Sequence, residues 1–385
     1  MSWDNALPLA AKLADSFRET AWERDRDRIL PHAEVEQLST AGVFALTVPR
    51  EYGGPDAPAS VLAEIIRLLA SADPNIAQIP HSHFVYVNFL KAAATDRQKQ
   101  YFFNQILDGA RLANAQSERG GRTIASVATR LERSSTGYVL FGTKYYCTGT
   151  LFADWIPVLA VLDEAEYLAF VPTGSPGLSI TDDWNGLGQR TTASGTVHLQ
   201  GVPVDQAWVV PRAAALQASS GYGAFAQLLH AAIDAGVARN ALDDAAEFVR
   251  AKSRPWFEAG VEEAREDPLT AYRFGEVAVD VAAAESLLAT AGNAVDTVLA
   301  QPSADNAAEA SLAVATAKAA ADRASLSATN AVFELSGTRS ADASLGLDRH
   351  WRNARTHTLH DPVRWKYHHI GRSLLGYAPP HHGVF

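Results

Sequence analysis

In the first third of the chain, apolar residues recur at helical spacing, as at Leu62, Ile65, Ile66, Leu68 and Leu69, with polar residues between them. This is the stripe by which an amphipathic helix buries one face. Pro49, the Gly53-Gly54-Pro55 run and Asp73-Pro74 supply breakers or fixed φ angles between successive helices. Residues 1–125 are therefore predicted to form an N-terminal helical domain. Over residues 126–212 the texture changes to short β-rich runs bounded by Gly, Ser and Pro: Tyr138-Val139-Leu140-Phe141, Trp155-Ile156-Pro157-Val158-Leu159, Tyr167-Leu168-Ala169-Phe170-Val171 and Gly195-Thr196-Val197-His198-Leu199. They predict a compact antiparallel β-domain. From 213 to 385 the helical spacing returns in Ala-rich form, as in LAVATAKAAADRASLSATNAVFEL, with a loop-like insert around Gln301-Pro302-Ser303-Ala304-Asp305. Small side chains let helices approach closely, so a C-terminal bundle of long helices is expected.

Composition narrows the function. Hydrophobic residues make up 47% and charged residues 20%, the balance of an ordinary globular protein with ample core. Lys and Arg total 33 against 43 Asp and Glu, a formal charge of -10. Such a surface repels phosphate backbones and anionic lipid, so neither nucleic acid nor membrane is expected as a partner unless a small basic pocket overrides the field. The lone cysteine, Cys147, permits no intrachain disulfide and no cysteine-based metal site, which suits a reducing cytoplasm. The N-terminal segment lacks the basic and apolar regions of a secretion signal, and no run approaches about 18 uncharged apolar residues.

The candidate chemistry lies mainly in histidines. His357 and His360 are three apart and would share one face of a helix. As a pair they could bind a metal, move protons or point to solvent. Asp361 is the only further ligand at hand, so no metal site is expected. His81 and His83 follow a turn signal at the head of an apolar helix. No P-loop is present and no GxGxxG follows a strand, which argues against a Rossmann-bound nicotinamide.

Three motifs resemble the acyl-CoA dehydrogenase superfamily: Val48-Pro49-Arg50-Glu51-Tyr52-Gly53-Gly54, Asn114-Ala115-Gln116-Ser117-Glu118-Arg119 and Gly142-Thr143-Lys144-Tyr145-Tyr146-Cys147-Thr148-Gly149. The resemblance covers essentially the whole chain in the same helical, β, helical order. The segment from Arg352 to Val363, RNARTHTLHDPV, resembles the signature of the flavin-dependent monooxygenase branch, typified by dibenzothiophene monooxygenase and the sulfur-acquisition oxidoreductases. Asp182-Asp183-Trp184, Arg254-Pro255-Trp256 and Asp348-Arg349-His350-Trp351-Arg352-Asn353 are similar to the same branch. The Tyr-Glu-Gly-Thr type motif, whose Glu takes the substrate α-proton in the dehydrogenases, is absent.

The resemblance implies a mainly α fold with a central β-barrel and a C-terminal four-helix bundle, assembled as a homotetramer. It implies reduced FMN from a separate NAD(P)H-dependent flavin reductase, molecular oxygen as co-substrate, a flavin hydroperoxide, and oxygen transfer to the sulfur of an organosulfur compound. An amine, a sulfone or an aromatic carbon is the alternative target, and an FAD-dependent acyl-CoA dehydrogenase or a catalytically silent assembly protein the more distant ones. Around the flavin ring it places Asn114, Ser117, Tyr146, Thr148 and Trp184, with Cys147 as a neighbour and not a redox centre. Thr148 stands where the related enzyme has serine. Arg254, from a neighbouring subunit, or Arg352 would hold the FMN phosphate, and Gly337-Thr338-Arg339 lacks the paired glycines that accept a longer dinucleotide. His83, Thr148, His357 and His360 take the catalytic roles, with His81 as a bystander. Phe84, Trp155, Ser219 to Phe225 and Tyr377 to Phe385 are expected to shape the substrate pocket.

Overall fold

The computed structural model describes residues 3–217 and 219–378; of the C-terminal stretch assigned to the pocket, 379–385 lie outside the described residues. Seven α-helices come first: α1 (Ala6–Arg18), α2 (Ala21–Asp27), α3 (His32–Thr40), α4 (Ala59–Ala70), α5 (Pro74–Gln78), α6 (His81–Ala93) and α7 (Asp96–Leu107). Seven strands follow: β1 (Arg130–Ser134), β2 (Gly137–Lys144), β3 (Trp155–Leu162), β4 (Ala165–Pro172), β5 (Leu178–Thr181), β6 (Thr196–Val204) and β7 (Val209–Pro211). Six helices follow among the described residues: α8 (Ala213–Gln217), α9 (Tyr222–Lys252), α10 (Pro268–Ala300), α11 (Ala304–Ser336), α12 (Asp348–His357) and α13 (Arg364–Leu374). Among the described residues no helix is long and apolar enough to cross a membrane.

The start of α5 is fixed by local chemistry. Pro74 occupies the first turn, where its missing N–H costs nothing, and the Asp73 carboxylate accepts from the Asn75 N–H at 3.0 Å. The other oxygen of Asp73 accepts from Arg24 at 3.0 Å, and Arg24 also reaches Glu34 at 2.8 Å. This buried tie between α2, α3 and α5 sets where α6 begins. Helix α9 runs through the centre, buried on nearly every side. Gly236 permits this: a Cβ there would stand 2.5 Å from both the Ala70 Cβ and the Arg67 carbonyl oxygen of α4. Helices α10 and α11, joined by Gln301-Pro302-Ser303, pack beside α9, and the shorter α12 and α13 lie against α11. After the short α8, the C-terminal part is thus three long helices completed by two short ones.

The sheet order is β5-β6-β2-β1-β3-β4-β7, so the sheet is open and the expected closed barrel is not formed among the described residues. The edges are β5, with four residues, and β7, with three. Strands so short give little ladder with which to close a sheet. One neighbouring pair, β1 with β3, is also parallel, through Arg130 and Val161. Phe84 and Trp155, expected at the pocket, are core residues; Trp155 packs edge-on against Phe102 and Trp208.

Candidate active site

Two groups of polar side chains meet where the loop between β5 and β6 touches α5 and α12. The Thr191 N–H donates to the Asn75 carboxamide oxygen at 3.1 Å, the Gln189 N–H to that of Asn353 at 2.7 Å, and the Gly188 N–H to the Thr356 hydroxyl at 2.9 Å. A Cβ at Gly188 would fall 2.0 Å from the Arg352 carbonyl oxygen, so only glycine allows this approach.

The first group is a cluster of four imidazoles. His81 opens α6, His230 lies in the first third of α9, His357 ends α12, and the turn in which the His360 N–H donates to the His357 carbonyl brings His360 back beside them. The His230 ring is sandwiched, with the His81 ring centroid at 3.9 Å and that of His360 at 4.0 Å. Its Nδ1 is 3.1 Å from Nε2 of His357, whose own Nδ1 is 2.6 Å from Asp234. Burial, reinforced by the neighbouring imidazoles, pushes His81 down to about 3 and His230 well below the usual histidine value. His360 is half exposed and forms the cluster's contact with solvent. Burial alone would raise the carboxyls of Asp234 and Asp361; His357 with Lys318 holds the first down, and His360, Lys318 and Lys366 hold the second well down. Among the described residues no group of His, Cys, Asp and Glu is arranged to hold a metal ion.

The second group lines the end of the sheet. The segment 112–117 pairs with β3 and with the turn at 146–148, where the Asn114 N–H donates to the Thr148 carbonyl and the Tyr145 N–H to that of Ser117. Asn114 is oriented through its oxygen by the Tyr86 hydroxyl at 3.0 Å. The Thr148 hydroxyl is 2.7 Å from that of Ser194, which is 2.7 Å from that of Thr192. Tyr146 is held at φ 57°, a conformation rare for a bulky residue, and stands 46% exposed. Trp184 meets it edge-on at 6.3 Å and donates its indole N–H to the Gln189 carbonyl, while Arg119 stacks over Tyr145 and Tyr146. Gly149 joins the two groups, since its near face looks onto Ile79, two residues before His81.

This wall fits a flat heteroaromatic with a polar edge: aromatic faces, a carboxamide and a hydroxyl row lie together. Beside them the Thr191 hydroxyl and the Arg190 Nε are buried without a partner, a state that native proteins rarely leave uncompensated. The residues present therefore suit the isoalloxazine ring of a flavin. Cys147 is fully buried behind them and burial pushes its thiol up to about 12, so it is an inert core residue.

The structure brings Asn114, Tyr146, Thr148 and Trp184 together, and likewise His357 with His360. Ser117 lies at the exposed rim. His83 is elsewhere: its Nδ1 accepts from the Leu112 N–H at 3.1 Å and its Nε2 meets the Phe44 carbonyl oxygen at 2.8 Å, which occupies both ring nitrogens with backbone. His81, expected to stand aside, is the one stacked on the cluster. Arg352 is committed to Asp25 through two nitrogens, at 3.2 and 2.5 Å, and to Asp348 at 2.7 Å, a tie between α12 and α2 that leaves no fork for a phosphate. Arg254 is exposed on the loop after α9. Sequence reasoning missed His230, Asp234, Lys318, Thr192 and Ser194. The detectable signal was His230 and Asp234 at i, i+4 in an otherwise apolar helix.

Comparison with known proteins agrees with this geometry. The family description "Acyl-CoA dehydrogenase, N-terminal domain" matches residues 9–110 and "Acyl-CoA dehydrogenase, C-terminal domain" residues 228–365. The chain belongs to the acyl-CoA dehydrogenase superfamily. Within it, the chain is 33% identical to dibenzothiophene monooxygenase of Rhodococcus qingshengii, over 97% of this chain and 93% of that one. The FMN-bound structure of TdsC from Paenibacillus sp. A11-2 superposes with a TM-score of 0.94 at 31% identity, covering 98% and 99% of the two chains. Methanesulfinate monooxygenase MsuC from Pseudomonas fluorescens superposes at 0.92 with 30% identity and the same coverage. The branch is that of the flavin-dependent monooxygenases.

Proposed function

We propose that the protein is the oxygenase component of a two-component system. It takes reduced FMN from a separate NAD(P)H-dependent flavin reductase and, with molecular oxygen, oxygenates the sulfur of a thioether- or dibenzothiophene-like compound. The observation that carries this reading is the set of four imidazoles adjoining a flavin-shaped wall, with the nearby carboxylates already paired. An acyl-CoA dehydrogenase needs a free carboxylate as base, whereas Asp234 is held by Lys318 at 2.8 Å and Asp361 by Lys366 at 2.9 Å.

Bound reduced FMN supplies the electrons with which dioxygen is split, one atom going to the substrate and the other to water. The chain's residues do the rest. Asn114 and Thr148 engage the polar edge of the ring, Tyr146 and Trp184 cover it and exclude water, and Ser117 stands at its rim. His357 keeps its Nδ1 proton on Asp234, and half-exposed His360 exchanges protons with solvent. The test is to supply the pure protein with reduced FMN from a generic reductase, oxygen, and a panel of sulfides, sulfones, amines and indoles. Sulfoxide is the expected product, and a His360→Ala chain should yield it about 10²-fold more slowly. Product from amines or indoles alone would overturn the sulfur assignment; an unchanged His360→Ala rate would overturn the role of His360.

The working unit is read as a homotetramer in the cytoplasm, with Arg254 of one subunit on the FMN phosphate of the next. Exposed Trp256 and Phe257 beside Arg254, and Leu269 and Tyr272 at the start of α10, support this, because large apolar side chains grouped at the surface favour a protein contact. Arg254→Ala should weaken FMN binding by about ten- to a hundredfold, the worth of one charged hydrogen-bonded contact, with the mass in light scattering unchanged. Unaltered affinity would remove Arg254 from the phosphate site.

A further inference from the structure

Four side chains form a continuous line through the buried junction of α9, α11 and α12. The Lys318 ammonium donates to Oδ2 of Asp234 at 2.8 Å, Oδ1 of Asp234 is 2.6 Å from Nδ1 of His357, and Nε2 of His357 is 3.1 Å from Nδ1 of His230. None is more than 3% exposed. Their hydrogens follow from donor and acceptor capacity alone. An ammonium only donates and an ionised carboxylate only accepts, so the hydrogen between Asp234 and His357 belongs to Nδ1 of the imidazole. In a neutral His357, Nε2 is then an acceptor, and the hydrogen it receives belongs to Nδ1 of His230. His230 is left with a bare lone pair at Nε2, its ring held between His81 and His360.

We propose that Lys318, Asp234, His357 and His230 form a preset proton relay of the flavin site, with His230 as the transfer residue and His357 as the store. A proton entering forms a bond to Nε2 of His230 while the Nδ1 hydrogen of His230 passes to Nε2 of His357. His230 ends neutral in its other tautomer, and His357 ends as an imidazolium against Asp234. Run in reverse, the same step returns the proton through Nε2 of His230, where the oxygen atom that leaves as water must be protonated. Lys318 keeps Asp234 ionised between visits. The flanking charges are mixed in sign. Asp322 lies 3.8 Å from Lys318, Asp361 pairs with Lys366, and Arg355 faces Asp322. The stored charge is therefore set chiefly by Asp234. The purpose of the relay rests on the oxygenase reading, while the hydrogen positions do not.

The test uses the full chain labelled with 15N-histidine. Without flavin, its proton spectrum should show a low-field imidazole N–H, the signature of a ring hydrogen held by a carboxylate. Asp234→Asn should abolish that resonance, and His230→Phe, which keeps a ring between the neighbours, should preserve it. Both should leave FMN affinity unchanged and slow product formation by about 10²-fold, the usual share of a proton-transfer group. Asp234→Asn strands the Lys318 charge and can fail to fold, so Asp234→Asn with Lys318→Met, which removes both charges, serves as the second variant and should lose the same resonance. Persistence of the resonance without Asp234, or full product formation in His230→Phe, overturns the relay. A wild-type chain that oxygenates no sulfur compound overturns the substrate reading instead, and the resonance still decides where the hydrogens lie.

Discussion

Replacing His83 with phenylalanine is expected to destabilise the fold by about 2–6 kcal/mol, because the Leu112 N–H and the Phe44 carbonyl each lose a buried partner at roughly 1–3 kcal/mol apiece. The ring itself is not what is missed: it packs edge-on against Phe44 and Phe84, and phenylalanine preserves that packing. Burial pushes His83 down to about 4, so it is neutral at pH 7, with Nδ1 accepting and Nε2–H donating. The companion change, His81→Phe, gives the opposite pattern. It keeps the stack on His230 and removes one hydrogen bond, to the Ala226 carbonyl at 3.1 Å, at a cost of about 1 kcal/mol. Its main effect should be on oxygenation, slowed because an apolar ring then lies against His230, the transfer residue of the relay. Urea denaturation and product formation, measured on both chains, check the pair; a stable His83→Phe chain with impaired oxygenation would return His83 to the site.

These two residues show where reading the sequence stops. His81 and His83 are two apart on α6, so they point about 200° from each other around the helix, and one must face away from the cluster. Spacing cannot tell which, because the answer depends on α9 arriving on one side and the Leu112 segment on the other. The order of helical and β segments was legible because hydrophobic period changes at each junction. That Asn114, Tyr146, Thr148 and Trp184 come together was legible because their motifs travel with the family. Sheet closure was not, since it depends on the lengths of β5 and β7 and on a parallel contact between β1 and β3. Nor was the fate of Arg352: Asp348 lies at helical spacing from it, but Asp25, its second partner, is 327 positions away. His230 was passed over because a single histidine in an Ala-rich helix looks like filler until Asp234, one turn on, is counted with it.

The buried imidazoles also make the fold acid-sensitive, and this is the largest effect expected of solution conditions. His81, pushed down to about 3, His83, down to about 4, and His230, well below the ordinary value, stay neutral in the folded chain while their unfolded counterparts take up protons near 6.5. As pH falls below 6.5, the unfolded state gains about three protons that the folded state refuses, which lowers stability. Burial also pushes His350 down, which adds in the same sense, and raises Asp243 and Asp322, which act the other way. Burial pushes Asp322 up to about 6, so between about 6 and 4 the folded state binds a proton there that the unfolded chain does not. The net difference of about two protons corresponds to roughly 3 kcal/mol lost per pH unit around pH 5. The depressed carboxyls of Asp234, Asp244 and Asp361 add nothing in this window, since their contribution is lost only below about 4. Against a typical stability of about 5–15 kcal/mol, folding should fail between about pH 5 and 4, well above the point at which carboxylates alone would denature it. Thermal melting from pH 7 to 4.5 tests this directly: Tm should fall steeply below pH 6. A Tm that stays flat to pH 5 would mean that these rings become charged in place, and that the cluster is open to water.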